Sequence, residues 1–247
     1  MKKQKADRFS TKAQIAHIGG DIVVGVLVLS IGALCLAPIQ NSIETDGQFT
    51  EIYRSAPDSS TSVSLMFNVY EGKEQVYQIM HVLQAHQAKA TFFIGGCWAD
   101  DNVECLRDIS AAGHEIGNHG YFHKNHQTLS LTDNQKEIAA CNQFIQLAIG
   151  QTPTLFAPPS GAYGDDMLNA CQILQMKTIL WSKDTIDWRD HDAALIYTRA
   201  TKNVKGGDFI LMHPTDATVA ALNDILICYQ TKSLSVVTVS ENLQNKG

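Results

Sequence analysis

From residue 63 onward, short apolar runs alternate along the chain with longer segments whose apolar residues recur at helical spacing. The short runs are typical of buried strands, and they lie at residues 63–69, 90–94, 115–118, 154–157, 178–181, 209–212 and 235–239. The longer segments predict helices at residues 74–86, 103–112, 132–149, 165–174, 192–203, 218–229 and 240–244. This alternation predicts an α/β domain with a parallel sheet, either a barrel or a doubly wound sheet. Seven such units between residues 63 and 247 favour a small, incomplete barrel.

A long uncharged run lies before this region. Residues 22–37 carry no charge, and the wider span 18–39 is about 20 residues long, enough to cross a bilayer. Residues 1–17 form a basic tail, which predicts a cytoplasmic N-terminus and an uncleaved transmembrane anchor. A cleaved signal sequence is the alternative, although Pro38 after Ala37 makes a poor cleavage site. We expect a single-pass protein of the cell membrane with an extracytoplasmic C-terminal domain.

The polar, turn-rich residues 40–62 predict a linker, which leaves residues 63–247 as the folded domain. The chain is 45% hydrophobic, an ordinary globular balance, and its formal net charge is −6. After residue 40 there are 14 Lys and Arg against 23 Asp and Glu. An acidic domain of this kind cannot neutralise phosphates, which excludes nucleic acid as a general partner.

The cysteines leave the question of a disulfide bond open. Cys97 and Cys105 lie eight positions apart, close enough for a disulfide in an extracytoplasmic domain, and two buried free thiols are the alternative. The chain contains no Cys-x-x-Cys motif, so a thiolate metal site has no support.

Histidines are concentrated in residues 113–126, Gly-His-Glu-Ile-Gly-Asn-His-Gly-Tyr-Phe-His-Lys-Asn-His. His119 and His123 are four positions apart, a spacing that lets two imidazoles bind one metal ion. Surface or packing histidines are the alternative. Gly117 and Gly120 place the pair on a loop at the end of a strand, where α/β proteins usually build their sites.

Two further strand ends carry titratable groups. Asp184, Asp187 and Trp188 follow one predicted strand, and His213 ends another. A histidine held by one of these carboxylates would make a general acid. A helix-capping aspartate and a histidine satisfied by packing are the alternative.

The ordered segments 90–94, 113–123, 158–161, 184–188 and 211–213 closely resemble the NodB-type polysaccharide deacetylases, carbohydrate esterase family 4. The resemblance covers about residues 63–240. It implies a distorted (β/α) barrel that hydrolyses N-acetyl groups of a cell-wall glycan, either peptidoglycan or a chitin-like polymer. Similarity is greatest to the membrane-anchored branch associated with sporulation, whose first motif reads Phe-Asp-Ile-Ser-Trp-Gly where this chain has Phe67-Asn-Val-Tyr-Glu-Gly72.

The resemblance also implies roles for individual residues. His119 and His123 match the residues that bind a divalent metal, usually zinc. His213 matches the general acid, and Asp184 or Asp187 would tune it. The implied groove residues are Trp188, Leu211, Tyr163 and Pro159.

Three positions depart from the family pattern. Asn68 replaces the aspartate that serves as the base, and an amide cannot take a proton from water near neutral pH. Val69 replaces the carboxylate that completes the metal ligands, and Ala157 replaces the arginine that orients the base. Glu71 is the candidate substitute for the base or ligand, with an exposed loop carboxylate as the alternative. His126 is a weaker candidate for an extra ligand.

Two functions therefore fit the sequence. One is an anchored deacetylase of wall glycans with weakened catalysis. The other is a degenerate deacetylase fold that binds a glycan or a partner protein without turnover. The retained acid, with the histidine pair, supports the first, and the missing base supports the second.

Overall fold

The computed structural model describes residues 51–244. The strands in this region are β1 Ile52–Tyr53, β2 Ser62–Val69, β3 Thr91–Ile94, β4 Glu115–Asn118, β5 Leu155–Phe156, β6 Lys177–Ile179, β7 Lys183–Asp184, β8 Phe209–Met212 and β9 Ser235–Val236. The helices are α1 Lys73–Ala85, α2 Gly96–Asp101, α3 Val103–Ala111, α4 Leu131–Ile149, α5 Asp165–Ile173, α6 Asp187–Asp190, α7 Ala193–Thr201, α8 Asp216–Thr231 and α9 Val239–Gln244. A short 3₁₀ turn covers Pro159–Gly161.

The strands form one parallel sheet in the order β1-β6-β5-β4-β3-β2-β8-β7, and β9 pairs with the start of β2. Each crossover carries the chain back along one face, as parallel pairing requires. The result is a half-barrel of parallel strands with β1 and β7 at its edges. The expected incomplete (β/α) barrel is therefore confirmed for the described residues.

Strand β2 lies between β3 and β8 in the sheet and is buried along its whole length. Val63, Leu65, Phe67 and Val69 join the hydrophobic cluster that contacts the helices. Met66 belongs to a second cluster on the inner face of the sheet. Because successive side chains of a strand point to opposite faces, Asn68 shares the inner face with Met66, and Val69 does not.

All seven predicted strands and all seven predicted helices are present, with ends that differ by a few residues. The sequence interpretation missed β1, β7, α2 and α6, which are too short to show a hydrophobic period. Residues 52–53 were assigned to the linker, but they pair with β6 and belong to the sheet. The domain therefore begins earlier than residue 63.

Cys97 and Cys105 are free thiols, so the structure favours the second alternative for this pair. Within residues 51–244, no helix is both long and apolar enough to cross a membrane. The predicted anchor at 18–39 and the basic tail at 1–17 lie outside the described residues.

Candidate active site

A cavity of about 490 Å³ opens at the carboxyl ends of strands β2, β4, β7 and β8. This is the edge at which parallel α/β sheets usually bind ligands. Most of the residues that the sequence singled out line this one cavity: Asn68, Glu71, His119, His123, Asp184, Trp188, Leu211 and His213.

His119 is the most deeply buried of the cavity histidines, with 2% of its surface exposed. Its Nδ1 lies 2.7 Å from the carbonyl oxygen of Ala157. Burial, together with the neighbouring His123, lowers the pKa of His119 to about 3, so the ring is neutral. A neutral ring that donates from Nδ1 keeps the lone pair of Nε2 free to bind a metal ion or accept a proton.

The loop that carries His123 is held by a buried carboxylate. Glu137 on α4 accepts hydrogen bonds from the backbone amides of Tyr121 and Phe122 and forms an ion pair with Lys124. His123 itself has a left-handed backbone, with φ of 52°. The rings of His119 and His123 meet edge to face with their centroids 5.1 Å apart. Burial and the electrostatic interaction with the neighbouring His213 lower the pKa of His123.

His213 and Asp187 form a hydrogen-bonded pair. Nδ1 of His213 lies 2.7 Å from Oδ1 of Asp187, and the amide of His213 donates to Oδ2 at 2.6 Å. Thr218 donates a further hydrogen bond to Oδ2. Burial alone would raise the pKa of Asp187, but the hydrogen bonds and charge of His213, with the hydrogen bond from Thr218, outweigh it and lower that pKa. The carboxylate therefore stays ionised and fixes the orientation of the His213 ring.

Asp184 has a different place in the structure. Its Oδ1 accepts a hydrogen bond from the amide of Ile186, which stabilises a tight turn. Ile186 has φ of 54°, a strained value for a β-branched residue, and the turn brings Asp187 beneath His213. Of the two aspartates that the sequence left open, Asp187 is the partner of His213, and Asp184 lines the cavity.

The three departures from the family pattern sit at the cavity or behind it. Asn68 is 4% exposed, and its Oδ1 has no hydrogen-bond partner among the described residues. Val69 is fully buried in the hydrophobic cluster beneath the helices and does not line the cavity. Ala157 is buried on the inner face of the sheet, where it supplies only its carbonyl oxygen to His119.

The remaining sequence candidates occupy different positions. Glu71 is exposed and lines the cavity. Tyr163 lies outside the lining, and its hydroxyl accepts a hydrogen bond from Arg54. Pro159 is buried and does not line the cavity, whereas its neighbour Ser160 does. The sequence interpretation missed the lining residues Tyr70, Trp181, His191, Pro214 and Thr215, because only their position in space reveals them.

Comparison with known proteins agrees with this arrangement. The family model "Polysaccharide deacetylase" matches residues 55–179. The chain belongs to the polysaccharide deacetylase family. It is 30% identical over 198 residues to a peptidoglycan-N-acetylglucosamine deacetylase of Bacillus cereus, which covers 77% of this chain and 92% of that protein. It is also 36% identical over 190 residues to the uncharacterized protein YlxY of Bacillus subtilis, but spans only 59% of that relative.

Solved structures of the deacetylase family include one with altered activity. A CE4 family pseudoenzyme from Bacillus anthracis superposes with a TM-score of 0.77 at 32% identity, over 79% of this chain and 69% of that one. A mutant of that protein with restored enzymatic activity gives the same TM-score at 31% identity, over 79% and 72% of the two chains. The fold of a deacetylase thus occurs among its relatives both with and without enzymatic activity.

Polysaccharide deacetylases are generally metal-dependent, and the donor set of this cavity does not complete such a centre. His119 and His123 offer two imidazole ligands. A catalytic zinc site normally has three protein ligands, and within residues 51–244 no group of three His, Cys, Asp or Glu side chains is placed to hold an ion. Val69 supplies no donor atom at the third position and packs into the core.

Proposed function

We propose that this domain binds an N-acetylated cell-wall glycan in the cavity and that its deacetylase activity is lost or strongly reduced. The observation that carries the proposal is the side chain of Asn68, whose buried amide oxygen has no partner at the position of the family's base. An amide cannot accept a proton from water near neutral pH, and no arginine stands at Ala157 to orient a base.

The rest of the cavity fits a binding role. Its volume of about 490 Å³ lies in the range typical of small-ligand sites and suits one or two sugar units. Trp188 is 55% exposed, and an exposed indole at the mouth of a cavity commonly contacts a ligand. The ring of His213 is fixed by Asp187 at Nδ1, so its Nε2 can accept a hydrogen bond from a sugar hydroxyl or, when the ring is protonated, donate one to an acetamido oxygen.

Slow metal-assisted deacetylation is the second candidate, and the complete pair of Asp187 and His213 favours it. Loss of a general base typically costs about 10²–10⁴-fold in rate, which leaves room for residual turnover if His119 and His123 hold a metal ion. In that case Glu71, exposed at the edge of the cavity, is the candidate for a displaced base.

We further propose that the glycan is peptidoglycan met outside the cell membrane. The predicted anchor at residues 18–39 would hold the domain there, and several relatives are named as peptidoglycan deacetylases.

The experiment measures binding and turnover on the same full-length protein. N-acetylglucosamine oligomers are titrated into it by calorimetry, and acetate release is followed with and without added zinc. We expect binding that Trp188→Ala weakens, with no acetate above background. Replacing both Asn68→Asp and Ala157→Arg should leave binding intact.

Two outcomes decide between the candidates. Acetate release by the natural sequence that stops in His119→Ala would establish the second candidate. Absence of any binding to N-acetylated oligomers would contradict the first.

A further inference from the structure

Tyr70 occupies the segment in which relatives carry their base, directly after Asn68 and Val69 at the end of β2. Its ring lines the cavity and is 37% exposed. On one side the ring packs against the imidazole of His123, with the centroids 4.7 Å apart and the planes tilted by 40°. The ring is therefore held by a neighbour while part of its surface remains open to the cavity.

A glycine makes room for this placement. A Cβ atom on Gly95 would lie 2.4 Å from Cδ2 of Tyr70, closer than packed atoms allow. Gly95 has φ of −77°, which any residue can adopt. A glycine is therefore needed here because a side chain would collide with Tyr70, and not because of the backbone conformation. Burial and the neighbouring Cys97 raise the pKa of Tyr70, which keeps the phenol neutral.

The chemistry of the exposed face limits what it can bind. A phenol ring that His123 and Gly95 hold in place loses little conformational entropy when a ligand covers its exposed part. The apolar C–H face of a pyranose ring matches a flat aromatic surface, and its hydroxyl edge meets hydrogen-bonding groups. Such groups line the same cavity in His213, Thr215 and Ser160.

We propose that Tyr70 is a sugar-binding residue whose ring, together with the indole of Trp188, receives the apolar face of an N-acetylated pyranose unit. This inference rests on the proposed glycan-binding function and adds a recognition residue to it. The segment that serves proton transfer in relatives serves ligand recognition in this chain. Tyr70 and Trp188 are the large exposed aromatic residues among those that line the cavity.

The test distinguishes stacking of the sugar on the aromatic ring of Tyr70 from an effect of side-chain volume alone. Tri-N-acetylchitotriose is titrated by calorimetry into the full-length protein and into Tyr70→Phe, Tyr70→Leu and Tyr70→Ala. We expect Phe to bind within about threefold of the natural sequence, and Leu and Ala to bind about tenfold more weakly. Phe122→Ala is the matched control, since Phe122 is 57% exposed but lies outside the cavity lining, and it should bind normally.

Each other outcome has a definite meaning. If Trp188→Ala weakens binding and Tyr70→Leu does not, the proposed function stands and the role of Tyr70 is wrong. If the natural sequence does not bind, both fail. Tyr70→Phe and Tyr70→Leu keep most of the side-chain volume, so they decide the question even if Tyr70→Ala unfolds.

Discussion

At the scale of single residues, the carboxylate of Asp187 has every lone-pair direction in use. Oδ1 accepts from the ring of His213 and from the amide of Trp188, and Oδ2 accepts from the amide of His213 and the hydroxyl of Thr218. The proton directions follow from these bonds. The hydroxyl proton of Thr218 goes to Asp187, so Thr218 accepts in its contact with the hydroxyl of Thr215, which donates. Thr215 also accepts from the amide of Thr218.

Replacing Thr218 by valine removes one donor from this buried carboxylate without changing its shape much. We expect Thr218→Val to raise the pKa of Asp187 and to lower the free energy of unfolding at pH 7 by about 1.5–3 kcal/mol, the usual worth of a hydrogen bond to a charged group. Chemical denaturation and a carboxyl carbon titration by NMR measure the two effects. Thr218→Ser keeps the hydroxyl and should behave like the natural sequence; equal losses in both variants would contradict the argument.

The residue scale also shows what the sequence could and could not predict. The predicted strand ends that carry His119, His123 and His213, together with the family resemblance, were enough to place them in one cavity. The choice between Asp184 and Asp187 was not, because the positive φ of Ile186 decides it and no local pattern predicts that value. Tyr70 was missed because only its position in space, beside His123 at the cavity, reveals it.

At the scale of elements, the loop after β4 depends on helix α4. Glu137 is 4% exposed and accepts two backbone hydrogen bonds from the loop between His119 and His123. The helix begins at a serine cap, with Ser130 accepting from the amide of Asp133, and this start fixes where Glu137 falls. The spacing of the histidines is visible in the sequence, whereas the carboxylate that shapes their loop lies 14 positions beyond His123.

Glu137→Ala should therefore lower the free energy of unfolding by more than the loss of its ion pair with Lys124 alone would. The amides of Tyr121 and Phe122 lose a charged acceptor, for which we expect a loss of about 2–4 kcal/mol in the free energy of unfolding. Lys124→Ala removes only the partly exposed cation and should lower the free energy of unfolding less than Glu137→Ala does. Urea denaturation compares the two variants. A loss in Lys124→Ala as large as that in Glu137→Ala would show that the ion pair, and not the backbone acceptor, holds the loop.

At the scale of the whole molecule, the two ends of the half-barrel differ in function. The carboxyl ends of the strands carry the cavity, and the amino ends carry contacts that stabilise the fold. At the amino end, Thr91 donates to Glu115 and accepts from the amide of Val239, which ties the last helix to the sheet. Substitutions such as Asn68 and Ala157 can therefore change the chemistry while the fold persists.

His114 lies at this amino end and makes the fold sensitive to acid. Its Nδ1 accepts a hydrogen bond from the amide of Ala90, and its ring meets Phe92 edge to face. Burial, with the charge of Lys89, lowers the pKa of His114 to about 4. The unfolded chain has a histidine pKa of about 6.5, so between these two values it binds more protons than the folded protein and stability falls as the pH falls.

Integrated over that window, His114 should remove about 2 kcal/mol from the free energy of unfolding between pH 7 and pH 5. The lowered pKa of Asp187 affects stability only below the ordinary aspartate value of 3.8. The change in stability between pH 7 and pH 5 therefore contains no contribution from the titration of Asp187. Denaturant titrations at pH 7, 6 and 5 measure the dependence. His114→Gln keeps a polar side chain but has no titrating ring. It should be less stable than the natural sequence at pH 7, and its free energy of unfolding should fall by about 2 kcal/mol less between pH 7 and pH 5. An unchanged slope in that variant would mean that His114 has the same pKa in the folded and the unfolded protein, in conflict with a buried ring nitrogen that accepts the amide proton of Ala90.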